Sequence, residues 1–122
     1  MVFINDSKAT NVDSAMKALA TFSKVRWICG GEQKEEDISR LNNALINVKK
    51  AYVIGVNTEK FSSQISCELE NCNTMDIAVQ KAFRDAQAGD TVLLAPAAAS
   101  FDQYGSFEER GQAFEHEIKK LV

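Results

Sequence analysis

Two stretches of this chain have residue types and spacings suited to holding a negatively charged group. NDSKATN, residues 5–11, follows a short apolar run and places Lys8 just past what reads as a strand end. A nucleotide-binding turn at such a place is usually glycine-rich, and this one has no glycine. The second stretch, APAAASFDQYGSFEERG at residues 95–111, follows the last apolar run. It exceeds the roughly 2–6 residues usual for a strand-to-helix connection, and long loops in compact domains often carry function. It holds the only proline, Pro96, then small residues that allow close backbone approach, and Ser100 adds a hydroxyl. Its end at Ser106 and Phe107 reads as a helix N-terminus, whose free N–H groups suit an anion. A lysine and a helix N-terminus on one rim can clamp a dicarboxylate, each taking one end through a charge-assisted bond. The plainer reading leaves Lys8 solvated or paired with Asp6, Asn11 capping a helix, and Ser106 with Glu109 filling the last helix end.

Those stretches need elements to hold them. Apolar runs VFI (2–4), VRWIC (25–29), AYVIGV (51–56), ISCEL (65–69) and TVLLA (91–95) read as strands apolar on both faces, as in a covered parallel sheet. Helix-period segments lie between them: Val12, Met16 and Leu19; Ile38, Leu41, Leu45 and Val48; Phe61 and Ile65; Met75, Val79, Ala82, Phe83 and Ala86. Asn11, Asp37, Thr58 and Thr74 are expected N-caps, and Gly89 is the expected residue after the fourth helix. Ser106 and Glu109 form a capping box for a last helix carrying Phe107, Phe114, Ile118 and Leu121. The alternation predicts one α/β domain over residues 1–122: a Rossmann-like three-layer sandwich with a mostly parallel sheet of about five or six strands. Strand one is expected near its centre, and ligands at the carboxyl ends of the strands.

Composition bounds the function. The 122 residues suffice for one domain and are too few for two. A net charge of −3 gives no basic footprint, so nucleic acid is not an expected partner. No run approaches the about 20 apolar residues that span a membrane, and no signal-peptide pattern opens the chain. Cytoplasm is the default compartment and a monomer the expected state. Cys29 sits in an apolar run as a small core residue. Cys67 and Cys72 have a C-x4-C spacing, but the only histidine, His116, is far away in sequence, so no metal is expected. The acidic run EQKEED (32–37) reads as a solvated loop.

NDSKATN, followed by GG and a charged loop after strand two, AYVIG, and LLAPAAASFDQYGSFEERG, resembles the C-terminal domain of the Mur ligase family over essentially the whole chain. The first and last motifs resemble the members that add D-glutamate in peptidoglycan synthesis. The resemblance implies an ATP-dependent ligase. In such a ligase the carboxyl of UDP-N-acetylmuramoyl-L-alanine is activated as an acyl phosphate and attacked by the amine of D-glutamate. It further implies that Lys8, Ser100 and the backbone at Phe107 bind glutamate carboxylate, that Phe101 lines the site, and that Asp6, Thr10 and Asn11 support the first motif. ATP, magnesium and the uridine nucleotide would belong to two preceding domains, so this chain alone is not expected to catalyse ligation. The family motif commonly has serine and cysteine where Ala95 and Ala98 stand, and phenylalanine at Tyr104. The competing reading is a stand-alone flavodoxin-like signalling or interaction module. A receiver would need an aspartate after strand three, where GVNT stands, and a flavin carrier a Ser/Thr/Gly-rich loop in place of NDSKATN.

Overall fold

The computed structural model describes residues 1–32, 35, 37–56, 58–100 and 102–121. Five parallel strands form one sheet: β1 (Val2–Asn5), β2 (Val25–Gly30), β3 (Val48–Ile54), β4 (Leu69–Asn73) and β5 (Thr91–Leu94), in the order β1-β5-β2-β3-β4. The helices are α1 (Val12–Thr21), α2 (Thr58–Gln64), α3 (Met75–Asp85) and α4 (Phe107–Lys119), with a 3-10 helix at Ser39–Asn47.

Strict alternation along the strands explains the two apolar faces. Trp27 and Cys29, Ala51 and Val53, and Leu93 point to one side, where α1, the 3-10 helix and α2 bring Val12, Leu19, Leu41 and Phe61. Ile28, Tyr52, Ile54, Val92 and Leu94 point to the other, where α3 and α4 bring Met75, Val79 and Phe114. Edge-on aromatic pairs close both layers: Trp27 with Phe61 at 6.2 Å and Phe3 with Phe114 at 6.4 Å between ring centroids. The result is the expected three-layer Rossmann-like arrangement.

Several expectations need correction. β1 lies at the sheet edge, and β5 takes the position between it and β2. The fourth strand is Leu69–Asn73 rather than 65–69. As an edge strand paired only with β3 it buries a single side chain, Cys72, so its sequence carries almost no apolar signal. Ile65 and Cys67 instead pack on the core after α2. The segment after β2 is 3-10 because its buried residues Ile38, Leu41 and Ala44 recur every third position, matching three residues per turn. Asn42 is drawn away to Gln64 and Ser66. Val48 begins β3 instead of ending that helix.

The caps divide similarly. Asn11 accepts from the Ser14 N–H as expected, and Ser106 Oγ accepts from the Glu109 N–H at 3.2 Å. The Glu109 carboxylate accepts from the Gly105 N–H, one residue earlier than a reciprocal box requires. Thr74 stands at the N-cap of α3, but its hydroxyl donates to Asp76 rather than accepting from the helix. Thr58 is already the first residue of α2, and Asp37 accepts from Ser39 while Ile38 holds the cap position. Gly89, at φ +87°, shapes the 87–90 turn instead of following α3 directly. Within the acidic run Glu35 is not simply solvated: its carboxylate accepts from the Val12 N–H at 2.9 Å, supporting the start of α1.

At the amino-terminal end of the sheet, the side chain of Asp90 is fully buried and ties three elements together. It accepts from Lys49 Nζ at 2.6 Å, Arg26 Nε at 3.2 Å and the Gln87 N–H at 3.0 Å. Burial alone would raise its pKa, but the bonds from Lys49, Gln87 and Arg26 outweigh that and hold it at about 2. The folded-state value lies below the unfolded one. The stability this carboxylate contributes, roughly 2 kcal/mol, is therefore complete above pH about 4 and disappears as pH falls toward 2. Asp90→Asn is expected to lower stability at pH 7 by about 2–3 kcal/mol. Urea midpoints of the two proteins should converge as pH falls from 5 to 2, and a gap independent of pH would rule out the ionised carboxylate as its source.

Candidate functional site

Chain direction determines where this sheet can open. The connections β1→β2, β2→β3 and β3→β4 all run the same way along the sheet, and β4→β5 runs back. Right-handed crossovers then put α1, the 3-10 helix and α2 on one face and α3 on the other, where α4 also packs. Beyond their carboxyl ends, β5 therefore leaves toward the opposite face from both of its neighbours, β1 and β2. Each junction is a topological switch point.

The chain bridges both: toward β1 the Asp6 N–H donates to the Leu94 carbonyl and the Ala97 N–H to the Ala9 carbonyl, each at 2.8 Å, and further bonds close the side toward β2. Gly30 N–H donates to the Pro96 carbonyl at 2.9 Å, and Glu32 and Ala99 exchange backbone bonds at 2.8 and 3.0 Å. Trp27 Nε1 donates to the Ala95 carbonyl at 2.7 Å. At Gly31 (φ +139°) a Cβ would lie 2.4 Å from the Ala99 carbonyl oxygen, so glycine lets the two loops touch. The Asp102 carboxylate accepts from the Val56 N–H, sealing the rim toward β3.

A cleft of about 300 Å³ lies between the end of β1 and α4, with residues 5–8 on one side and Phe107, Glu108, Gly111, Gln112 and Glu115 of α4 on the other. Lys8 is exposed there and makes no ion pair among the described residues; in particular it does not pair with Asp6. Across from it, the Phe107 and Glu108 N–H groups have no acceptor among the described residues, because the capping bonds serve Glu109 and Gly105. Asp6, Glu108 and Glu115 add carboxylates to the same walls. One ammonium and two free N–H groups beside three carboxylates suit a zwitterion, with receptors for carboxylate and for ammonium in one cleft.

The other residues singled out in the sequence lie around this cleft. Ser100 is not in its wall. It is 3% exposed, its carbonyl accepts from Gln103 and Tyr104, and its hydroxyl has no partner among the described residues. Thr10 is half-buried and donates its N–H to the Lys8 carbonyl, and Asn11 serves α1. Phe101 lies outside the described residues.

Sequence reasoning missed the residues that hold the walls together. Arg110, 1% exposed, donates from Nη2 to the Ser7 carbonyl at 2.8 Å, from Nε to Ser7 Oγ at 3.0 Å and from Nη1 to the Ala98 carbonyl at 2.9 Å. Ser7 Oγ in turn donates to the Phe107 carbonyl at 2.6 Å. Burial pushes the Arg110 guanidinium down to about 10, with Asp102 and Tyr104 opposing, so it stays charged at neutral pH. Asn5 Nδ2 donates to the Gly111 carbonyl, and a Cβ at Gly111 would sit 3.0 Å from that amide and 3.2 Å from Ser7 Cβ. In the string FEERGQ, Arg110 resembles a solvated helix residue. The only local signal was the glycine after it, which marks close packing at that turn.

Residues 1–98 match the sequence model of the family described as Mur ligase, glutamate ligase domain. The chain is 58% identical over its whole length to a UDP-N-acetylmuramoylalanine–D-glutamate ligase of Ruegeria pomeroyi. It is 57% identical over 98% of its length to one of Roseobacter denitrificans, and 53% identical over 98% to one of a Jannaschia species. It spans 26% of the length of each of these relatives. With the family model covering most of its residues and this identity running end to end, the chain belongs to the Mur ligase family, in its glutamate ligase domain.

Proposed function

We propose that residues 1–122 form the D-glutamate-binding, C-terminal domain of an ATP-dependent ligase. Such a ligase joins D-glutamate to UDP-N-acetylmuramoyl-L-alanine in peptidoglycan synthesis. The observation that carries this reading is the cleft between the end of β1 and α4: among the described residues Lys8 on one wall makes no ion pair, and the Phe107 and Glu108 N–H groups at the start of α4 have no acceptor. Family membership supports D-glutamate as the amino acid.

In this reading Lys8 and the Phe107 N–H receive carboxylate oxygens of D-glutamate, while Ser100, buried and outside the cleft wall, is assigned a ligand bond on the motif resemblance alone. Asp6 shapes the cleft beside Lys8, while Thr10 and Asn11 fix the turn into α1. The domain's task is to present the amine of D-glutamate, in a fixed orientation, to an activated carboxyl held by the rest of the ligase. Neither ATP nor magnesium fits the residues here. No glycine-rich phosphate loop occurs in the sequence, and among the described residues no group of three His, Cys, Asp or Glu is placed to hold a metal. ATP with magnesium would supply the phosphoryl group that activates the carboxyl, in parts of the ligase outside this chain.

An amide NMR titration of the chain with D-glutamate, with L-glutamate as control, tests the reading directly. Saturable, enantiomer-selective shifts are expected at Lys8, Phe107 and Ser100; equal shifts with both enantiomers would reduce the cleft to a general anion site. Lys8→Ala removes a charge-assisted bond worth about 1.5–3 kcal/mol, so the dissociation constant should rise about tenfold to a hundredfold. Ser100→Ala should weaken binding by about 1 kcal/mol and leave the melting temperature within about 1 °C, because its hydroxyl bonds no described residue. A large melting shift in that variant would make Ser100 structural instead.

A further inference from the structure

The four arginines divide sharply. Arg26, Arg40 and Arg84 each reach a carboxylate, whereas Arg110, the most deeply buried, is surrounded by neutral acceptors only: two carbonyls and one hydroxyl. Among the described residues no carboxylate lies within ion-pairing distance of it. Burying a charge without a counter-charge costs stability, and an apolar side chain of similar size would fill the same volume without that cost. Three of its five N–H donors are used, which leaves two without a described acceptor. Its partners are also unevenly distributed in a telling way. Ser7 adjoins Lys8, Ala98 stands two residues before Ser100, and Ser7 Oγ continues to the Phe107 carbonyl at the start of α4.

We infer that Arg110 is a positioning residue of the D-glutamate cleft: from inside α4 it fixes the two strand-end loops that carry Lys8 and Ser100. This rests on the D-glutamate reading of the cleft. The planar fork is what the task requires. It reaches three acceptors on two loops at set angles, where a lysine ammonium at the end of a flexible stem satisfies at most part of that set.

Arg110→Lys keeps the charge and removes the fork. At a temperature where this variant is folded, its dissociation constant for D-glutamate should rise at least about tenfold, and {1H}–15N heteronuclear NOEs should fall at Ser7, Lys8, Ala98 and Ser100 while those of β2 and β3 stay unchanged. A purely structural arginine would lower the melting temperature and leave the affinity of the folded fraction as it was, and that result overturns the inference. Should Arg110→Lys not fold, Ser7→Ala removes one acceptor of the fork without touching any charge. It is expected to loosen the same two loops and weaken binding several-fold, and unchanged loops and affinity would overturn the inference. If the unaltered chain fails to bind D-glutamate, the reading of the cleft fails by itself. The bracket is then judged in the ligand-free protein: loosening confined to the two loops sustains it, and loops as ordered as before refute it.

Discussion

Everything at the functional end of this domain follows from the position of one strand. β5 is inserted between β1 and β2, and the handedness of the crossovers obliges it to leave toward the face opposite to both neighbours. Two crevices result, and a single long loop, residues 95–106, serves both. It plugs the β2 side with backbone bonds to Gly30 and Glu32, then returns across the rim to start α4 beside β1. Backbone bonds bridge the β1 side as well, and the cleft lies beside it, with one wall given by the end of β1 and the other by the first turns of α4.

That arrangement places charge economically. Lys8 comes from the loop after β1, free N–H groups from the start of α4, and the two walls are joined behind by Arg110, Ser7 and Asn5. No glycine-rich loop is needed, because the donors come from one side chain and one helix start rather than from a nest of backbone amides. The rim glycines do different work. Gly31 and Gly55 stand where a Cβ would meet the Ala99 carbonyl or the Asp102 carboxylate, so they let the loops close over the β2 side and leave β1 as the accessible edge.

The opposite end of the sheet is built for stability. Asp90, Lys49 and Arg26 join the starts of β5, β3 and β2, and Lys50, Glu70, Asp85 and Tyr52 continue the network toward β4 and α3. The amino-terminal network pairs Asp90 with Lys49 and Arg26 inside the fold, whereas Arg110 at the carboxyl-terminal rim has no carboxylate within ion-pairing distance among the described residues and feels Asp102 only from farther off.

The sequence by itself determined the alternation of strands and helices, the two apolar faces, the caps at Asn11 and Ser106, and the rim stretches around Lys8 and Phe107. Each of these is set by local periodicity or by neighbours a few residues apart, and the motif resemblance pointed to the family. Only the tertiary structure decided that β1 is an edge strand, because strand order depends on pairings between segments some 90 residues apart that leave no local trace. It alone revealed β4, whose pairing rests on backbone bonds to β3 rather than on apolar side chains. It alone revealed Arg110, which in FEERGQ looks like any exposed helix residue until Ser7, over 100 positions away, and Ala98 close around it. Periodicity shows which face of an element is buried; which distant partners meet a polar group there is fixed only when the chain closes on itself.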